Sequence, residues 1–117
     1  MSKAKGSRAE HKTIKRLETV GYTCTRAAGS MGAWDIIAIS PSDVRLIQVK
    51  CNRNPGSVEM ETLELFQCPQ YVSKEVWVWK DFAREPIITH VKTVRQTTAK
   101  DWSDREENPK YKIDTNA

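Results

Sequence analysis

Long hydrophobic runs are missing from this 117-residue chain: no apolar stretch exceeds a handful of residues, against the roughly 18 that a membrane span needs. The Met-Ser-Lys-Ala-Lys start has no apolar segment behind its charges that could serve as a secretion signal. Cysteine is sparse and unpaired in pattern. Cys24, Cys51 and Cys68 are odd in number and form no Cys-x-x-Cys, which argues against a disulfide framework and gives no ligand spacing for zinc with His11 or His90. Internal repeats and low-complexity tracts are absent too. The expectation is one small domain acting in the cytoplasm with reduced thiols and no membrane contact.

The charge that is present is unevenly placed. The net value is +4. Residues 1–16 carry Lys3, Lys5, Arg8, Lys12, Lys15 and Arg16 against Glu10 alone; residues 17–99 balance, and residues 100–117 are slightly acidic. A basic segment of this kind suits a polyanion such as nucleic acid, and suits equally a solvated helix start.

Local patterns give the order helix, three strands, helix, two strands. Ser7 as cap, Glu10 three residues later and Gly21 as stop predict a helix over 8–20, with an inward stripe of Glu10, Ile14 and Leu17 flanked by Thr13 and Val20. Strands are expected over 22–27, 34–39 and 44–51, the last two apolar on both faces and so central in the sheet. Ser57 caps a second helix over 57–67, with Met60, Leu63 and Phe66 as its core side. Strands over 75–82 and 87–94 follow. The domain is expected to span 1–96, and 97–117 reads as a polar tail. The fold class is α/β: one domain with a mixed central β-sheet flanked by helices, in the order αβββαββ.

If Ser40-Pro41-Ser42-Asp43 forms a hairpin loop, Ile39 faces Val44, Ile37 faces Leu46 and Asp35 faces Gln48, with Lys50 on the same face. A carboxylate, an amide and a lysine then gather at one end of an otherwise apolar hairpin, where uncompensated polar groups are costly. An ion pair between Asp35 and Lys50 meets part of that cost. So does a site in which Asp35 and the Gln48 carbonyl oxygen bind Mg²⁺ as hard ligands and Glu10 adds a third oxygen. Taken singly, Glu10 also reads as a capping-box acid, Asp35 as a strand-end solvating group and Lys50 as a snorkelling lysine.

The strings Lys5-Gly6-Ser7-Arg8-Ala9-Glu10, Arg26-Ala27-Ala28-Gly29-Ser30, Trp34-Asp35-Ile36-Ile37-Ala38 and Leu46-Ile47-Gln48-Val49-Lys50 resemble the PD-(D/E)XK nuclease superfamily. More narrowly, they resemble archaeal-type Holliday junction resolvases and their phage relatives, closely over the first 55 residues or so and in element order beyond. The phage relatives leave a phage-borne gene open.

The resemblance implies a restriction-endonuclease-like fold and a structure-selective endonuclease that resolves four-way DNA junctions by paired nicks. It makes Asp35 the central metal carboxylate, Glu10 the helix-borne acid and Lys50 the lysine beside the attacked phosphate. Mg²⁺, with Mn²⁺ as substitute, is the implied cofactor. Gln48 departs from the usual Glu or Asp, removing one negative charge from the metal site. Lys3, Lys5, Arg8, Lys12, Arg26, Ser30 and Arg53 are the implied DNA contacts. A homodimer is implied as well, with the second helix, Phe66 and Tyr71 at its interface. Two other functions compete: the same nuclease core acting on flaps, nicks or specific duplex, and a nucleic-acid-binding module that has lost cleavage.

Overall fold

The structure is a computed structural model that describes residues 2–27, 29 and 32–95, the side chains of residues 2–6 excepted. The expected tail over 97–117 and the expected contact Ser30 lie outside the described residues, as do the side chains of Lys3 and Lys5.

Helix α1 spans Ser2–Thr19 and is followed by β1 (Thr23–Arg26), β2 (Ile36–Ile39), β3 (Val44–Cys51), α2 (Ser57–Leu65), β4 (Val72–Trp79) and β5 (Ile87–His90). The expected element order holds. The five strands lie in sequence order across one sheet, antiparallel except for β3 and β4, which run parallel and are joined through α2. A parallel pair needs such a crossover, and the helix covers the face it crosses.

Each helix closes one face. Ala9 and Leu17 of α1 pack on Ile36, Ala38, Ile47, Trp77 and Trp79, while Leu63 of α2 packs with Trp34, Leu46, Val76, Val78 and Val91 on the opposite face. Alternation along β3 explains the division: Ile47 and Val49 turn to α1, Leu46 to α2.

Several local expectations change. Helix α1 starts at Ser2 because Lys3, Ala4 and Lys5 are good helix formers that carry the helix through Gly6, so Ser7 is interior and caps nothing. The buried stripe is therefore Ala9, Thr13 and Leu17; Glu10 and Ile14 flank it, and Val20 is exposed. The helix end is as expected: Gly21 (φ 96) follows it, and the amides of Gly21 and Tyr22 donate to the carbonyls of Glu18 and Leu17, both at 3.1 Å.

At α2 the cap is Gly56, whose amide donates to Glu59 Oε1 at 3.1 Å, and Ser57 is the first helical residue. The helix stops at Leu65, short of Gln67. Strand β2 is not buried on both sides: Ile36 and Ala38 are enclosed under α1, but Ile39 is half exposed. The strand enclosed on both faces is β4, buried from Lys74 to Trp79; it begins at Val72, three residues earlier than the pattern suggests. Strands β1, β2 and β5 are shorter than expected.

Charge is built into this sheet. Glu75 of β4, 1% exposed, accepts from Arg45 Nε (2.8 Å) and Nη2 (2.7 Å), Ser73 Oγ (2.6 Å) and Trp77 Nε1 (2.8 Å). Arg45 lies over the rings of Tyr22 and Trp77, 5.2 and 5.6 Å from their centroids. Lys74, 3% exposed, donates to the carbonyls of Leu63 (2.6 Å), Glu64 (3.2 Å) and Phe66 (2.8 Å), satisfying the open end of α2.

Candidate functional site

Parallel pairing of Cys51 with Trp79 and antiparallel pairing of Ile36 with Ile47 bring the start of β2 and the ends of β3 and β4 to one edge of the molecule. Asp35, Gln48 and Lys50 belong to that edge. The hairpin register is the expected one, with Ile39 opposite Val44 and Ile37 opposite Leu46. It breaks at Asp35, whose amide donates to the Ile47 carbonyl at 2.8 Å. The freed carboxylate turns to the backbone, and its Oδ2 accepts from the amide of Val49 at 2.8 Å. Asp35 is thus fixed on the main chain between Gln48 and Lys50.

Glu10 reaches this edge from α1. The two carboxyls sense one another: burial first and then the Asp35 charge push Glu10 above its ordinary value, with Arg26 opposing. Arg26 Nε lies 3.6 Å from Glu10 Oε1. Burial likewise raises Asp35, against the Val49 hydrogen bond and the Lys50 charge. A site that desolvates two acids beside each other is poised to take up a cation.

Gln48 supplies the sharpest sign of one. Its Nε2 donates to the Ala33 carbonyl at 3.4 Å, which orients the amide, and its Oε1 is buried with no hydrogen-bond partner among the described residues. Such an orphan acceptor costs about 1–3 kcal/mol and calls for a partner. Among the described residues no group of three or more His, Cys, Asp or Glu side chains is placed to hold a metal. The donor set that fits one is mixed: two carboxylates and the Gln48 amide oxygen, all hard oxygen ligands of the kind Mg²⁺ accepts.

Lys50, largely buried, donates to Glu59 Oε2 of α2 at 2.6 Å. The lysine holds Glu59 below its ordinary value, with the Gly56 amide assisting. The sequence marks Glu59 only as an acid in the first turn of α2. Its partnership with Lys50 depends on where the crossover helix lands, and nothing local signals it.

The expected DNA contacts divide. Arg8 and Lys12 are exposed on α1. Arg26 is paired with Glu10 instead of standing free for phosphate, and Arg53 Nη1 lies 3.8 Å from Glu59 Oε1. Phe66, expected on the core side of the second helix and implied at a dimer face, packs edge-to-face on Trp34 at 5.7 Å, partly buried against the cluster beneath α2; Tyr71 is exposed.

The family model described as archaeal Holliday junction resolvase (Hjc) matches residues 1–117. A solved structure of Hjc, a Holliday junction resolvase from the archaeal hyperthermophile Archaeoglobus fulgidus, is similar to this one with a TM-score of 0.62 and 23% identity, over 80% of this chain and 79% of that chain. That likeness establishes the fold. No curated protein matches the chain in sequence. Among the described residues, no helix is long and apolar enough to cross a membrane.

Proposed function

The chain belongs to the archaeal Holliday junction resolvase family and is a junction-resolving nuclease acting on DNA, and from that premise we propose that Glu10, Asp35, Gln48 and Lys50 form its active site. Nucleases of this family are metal-dependent. Mg²⁺, with Mn²⁺ as substitute, is the ion we assign. Glu10, Asp35 and the Gln48 amide oxygen would hold it, and when bound it would neutralise phosphate charge and acidify water for attack. The orphaned Gln48 Oε1 is the observation that carries this assignment.

Each residue has a task. Asp35, anchored through Oδ2 by the Val49 amide, would offer its other oxygen to the ion. Lys50 faces the scissile phosphate with a fixed positive charge and stabilises the charge that develops there, its side chain steadied by Glu59. Arg8, Lys12 and Arg53, with Lys3, Lys5 and Ser30, hold backbone phosphates, which positions the duplex arms without reading bases. Arg26 joins them by exchanging Glu10 for phosphate. The protein acts in the cytoplasm as a homodimer, which presents two such sites to the near two-fold symmetric junction.

The test uses a labelled four-way junction, the matching duplex and a single strand, with and without Mg²⁺ or Mn²⁺. Metal-dependent paired cuts in the junction are expected, and Asp35→Asn should abolish them while leaving junction binding in place. Binding without cutting in either metal identifies a binding module instead, and equal cutting of duplex and junction identifies a nuclease of other substrates. Full cutting by Asp35→Asn removes the site.

A further inference from the structure

The turn from β4 to β5 leaves the sheet at the edge that carries Asp35 and Lys50, and Phe82 stands on it fully exposed. Its backbone is left-handed (φ 64), a conformation that bulky side chains seldom adopt. Core packing explains neither feature. Among the described residues the one other non-glycine residue with positive φ is Asn52 (φ 61), two positions after Lys50. The two are coupled: the Asn52 amide donates to the Trp79 carbonyl, and Asn52 Oδ1 accepts from the Asp81 amide, both at 2.8 Å. The Phe82 turn is thereby pinned to the segment that follows the active-site lysine. Backbone strain held in place at such an edge points to a ligand contact.

The surroundings define the ligand. Phe82 lines one groove with Arg8 and Lys12 of α1 and with Lys80, Asp81 being the single acid among the lining residues. Lys12 Nζ sits 5.2 Å from the ring centroid of Trp79 in the groove wall. Arg84 continues the basic rim beside Lys12 and Lys15. An aromatic face without protein packing, set in a positive groove, fits a nucleobase whose stack has been opened and whose phosphates are neutralised by the rim. Intact B-form duplex buries its base faces in the stack. A branch point held open with its arms unstacked exposes them, and so the same feature distinguishes a junction from its arms.

We propose that Phe82 is a stacking platform for an unstacked base at the branch point of the DNA substrate and contributes to structure selectivity; this rests on the junction-resolving reading above. Phe82→Ala, Phe82→Trp and the unaltered chain are to be compared for binding to a four-way junction carrying 2-aminopurine at the branch point, and to the matching duplex. Phe82→Ala should lose at least about fivefold in junction affinity, keep its duplex affinity and abolish the quenching of 2-aminopurine emission. Phe82→Trp should retain both affinity and quenching.

Unchanged junction affinity and quenching in Phe82→Ala, with the unaltered chain still preferring and cutting junctions, overturns the platform alone. Equal loss toward junction and duplex also overturns it and makes the turn a general electrostatic contact. An unaltered chain with no preference for junctions overturns the functional reading and the platform with it. Phe82→Gly, which relieves the left-handed backbone, serves as the folding control: an equal or higher thermal midpoint attributes any junction defect to the lost ring.

Discussion

At the scale of single residues, Gln48 is the departure from the family pattern whose physical cost is plainest. Its amide oxygen is buried without a partner among the described residues, a placement that costs about 1–3 kcal/mol when nothing meets it. Gln48→Glu places a third carboxylate beside Asp35 and Glu10, both already pushed up by burial. Without metal the variant should unfold at a lower temperature than the unaltered chain. Added Mg²⁺ should raise its midpoint more than it raises that of the unaltered chain, and half-maximal cutting should need about tenfold less metal, since ligand charge sets affinity for hard cations. Equal Mg²⁺-induced shifts in the two proteins would show that the position does not face the ion.

Glu59 sets a second prediction at this scale, because the lysine proposed to face phosphate is held by an acid at 2.6 Å. Glu59→Gln keeps an oxygen acceptor for Lys50 and the Gly56 amide but removes the charge. Its single-turnover rate at saturating junction should fall about tenfold or more through a misplaced lysine, with junction affinity equal or tighter because one negative charge has left the phosphate side. A rate at the unaltered level would mean that Lys50 is positioned without Glu59. The residues of the β2–β3 hairpin were open to sequence reasoning, since turn chemistry and two-residue alternation place Asp35, Gln48 and Lys50 together. Glu59 was not, because its contact crosses from sheet to helix.

Among the elements, β3 is legible to the residue. Ser40 to Asp43 make its turn, with Ser40 Oγ donating to Asp43 Oδ1 at 2.6 Å, and Asn52 ends it in a left-handed residue. The start of β4 is hidden for the opposite reason. Ser73 and Lys74 fall outside the expected strand because they are polar, whereas Ser73 bonds Glu75, Lys74 caps α2 and Glu75 neutralises Arg45. Periodicity cannot see polar groups that are buried because they are paired. The start of α1 lies upstream of Ser7, a good cap in isolation that a preceding run of helix formers makes redundant.

The Glu75 network carries a prediction about this element. Burial pushes the carboxyl up, but the Arg45, Ser73 and Trp77 hydrogen bonds together hold it below its ordinary value of 4.5. A depressed acid stabilises the native state at pH values above the unfolded value and loses that contribution as pH falls through the native one. Stability should therefore drop on acidification below about pH 4.5. Glu75→Gln leaves Arg45 uncompensated in a largely enclosed place and should cost about 3 kcal/mol at neutral pH, with a shallower loss in acid. Denaturant unfolding at neutral pH and at about pH 4 measures both, and an unaltered acid slope in Glu75→Gln would relocate the effect to other carboxyls.

For the whole molecule, the decisive property is how many active sites meet one junction. A single site cuts one strand, whereas resolution needs two cuts placed symmetrically across the branch, and a two-fold dimer supplies that symmetry. With Phe66 committed to Trp34, the part of the implied interface that remains accessible is the outer side of α2 and the turn after it, where Val58 and Tyr71 are exposed. Tyr71→Glu puts a charge there without touching either hydrophobic cluster. It should convert a dimer to a monomer in sedimentation while leaving the thermal midpoint of the fold within a few degrees, as exposed substitutions do. On a supercoiled plasmid extruding a cruciform, the proposed dimer should yield linear product within one binding event, and a monomeric variant should accumulate nicked circles instead. Linear product from a monomer would mean that two independent encounters suffice, and a dimer that survives Tyr71→Glu would move the interface to another face, such as the edge of β5 where Ile87 and Ile88 are exposed.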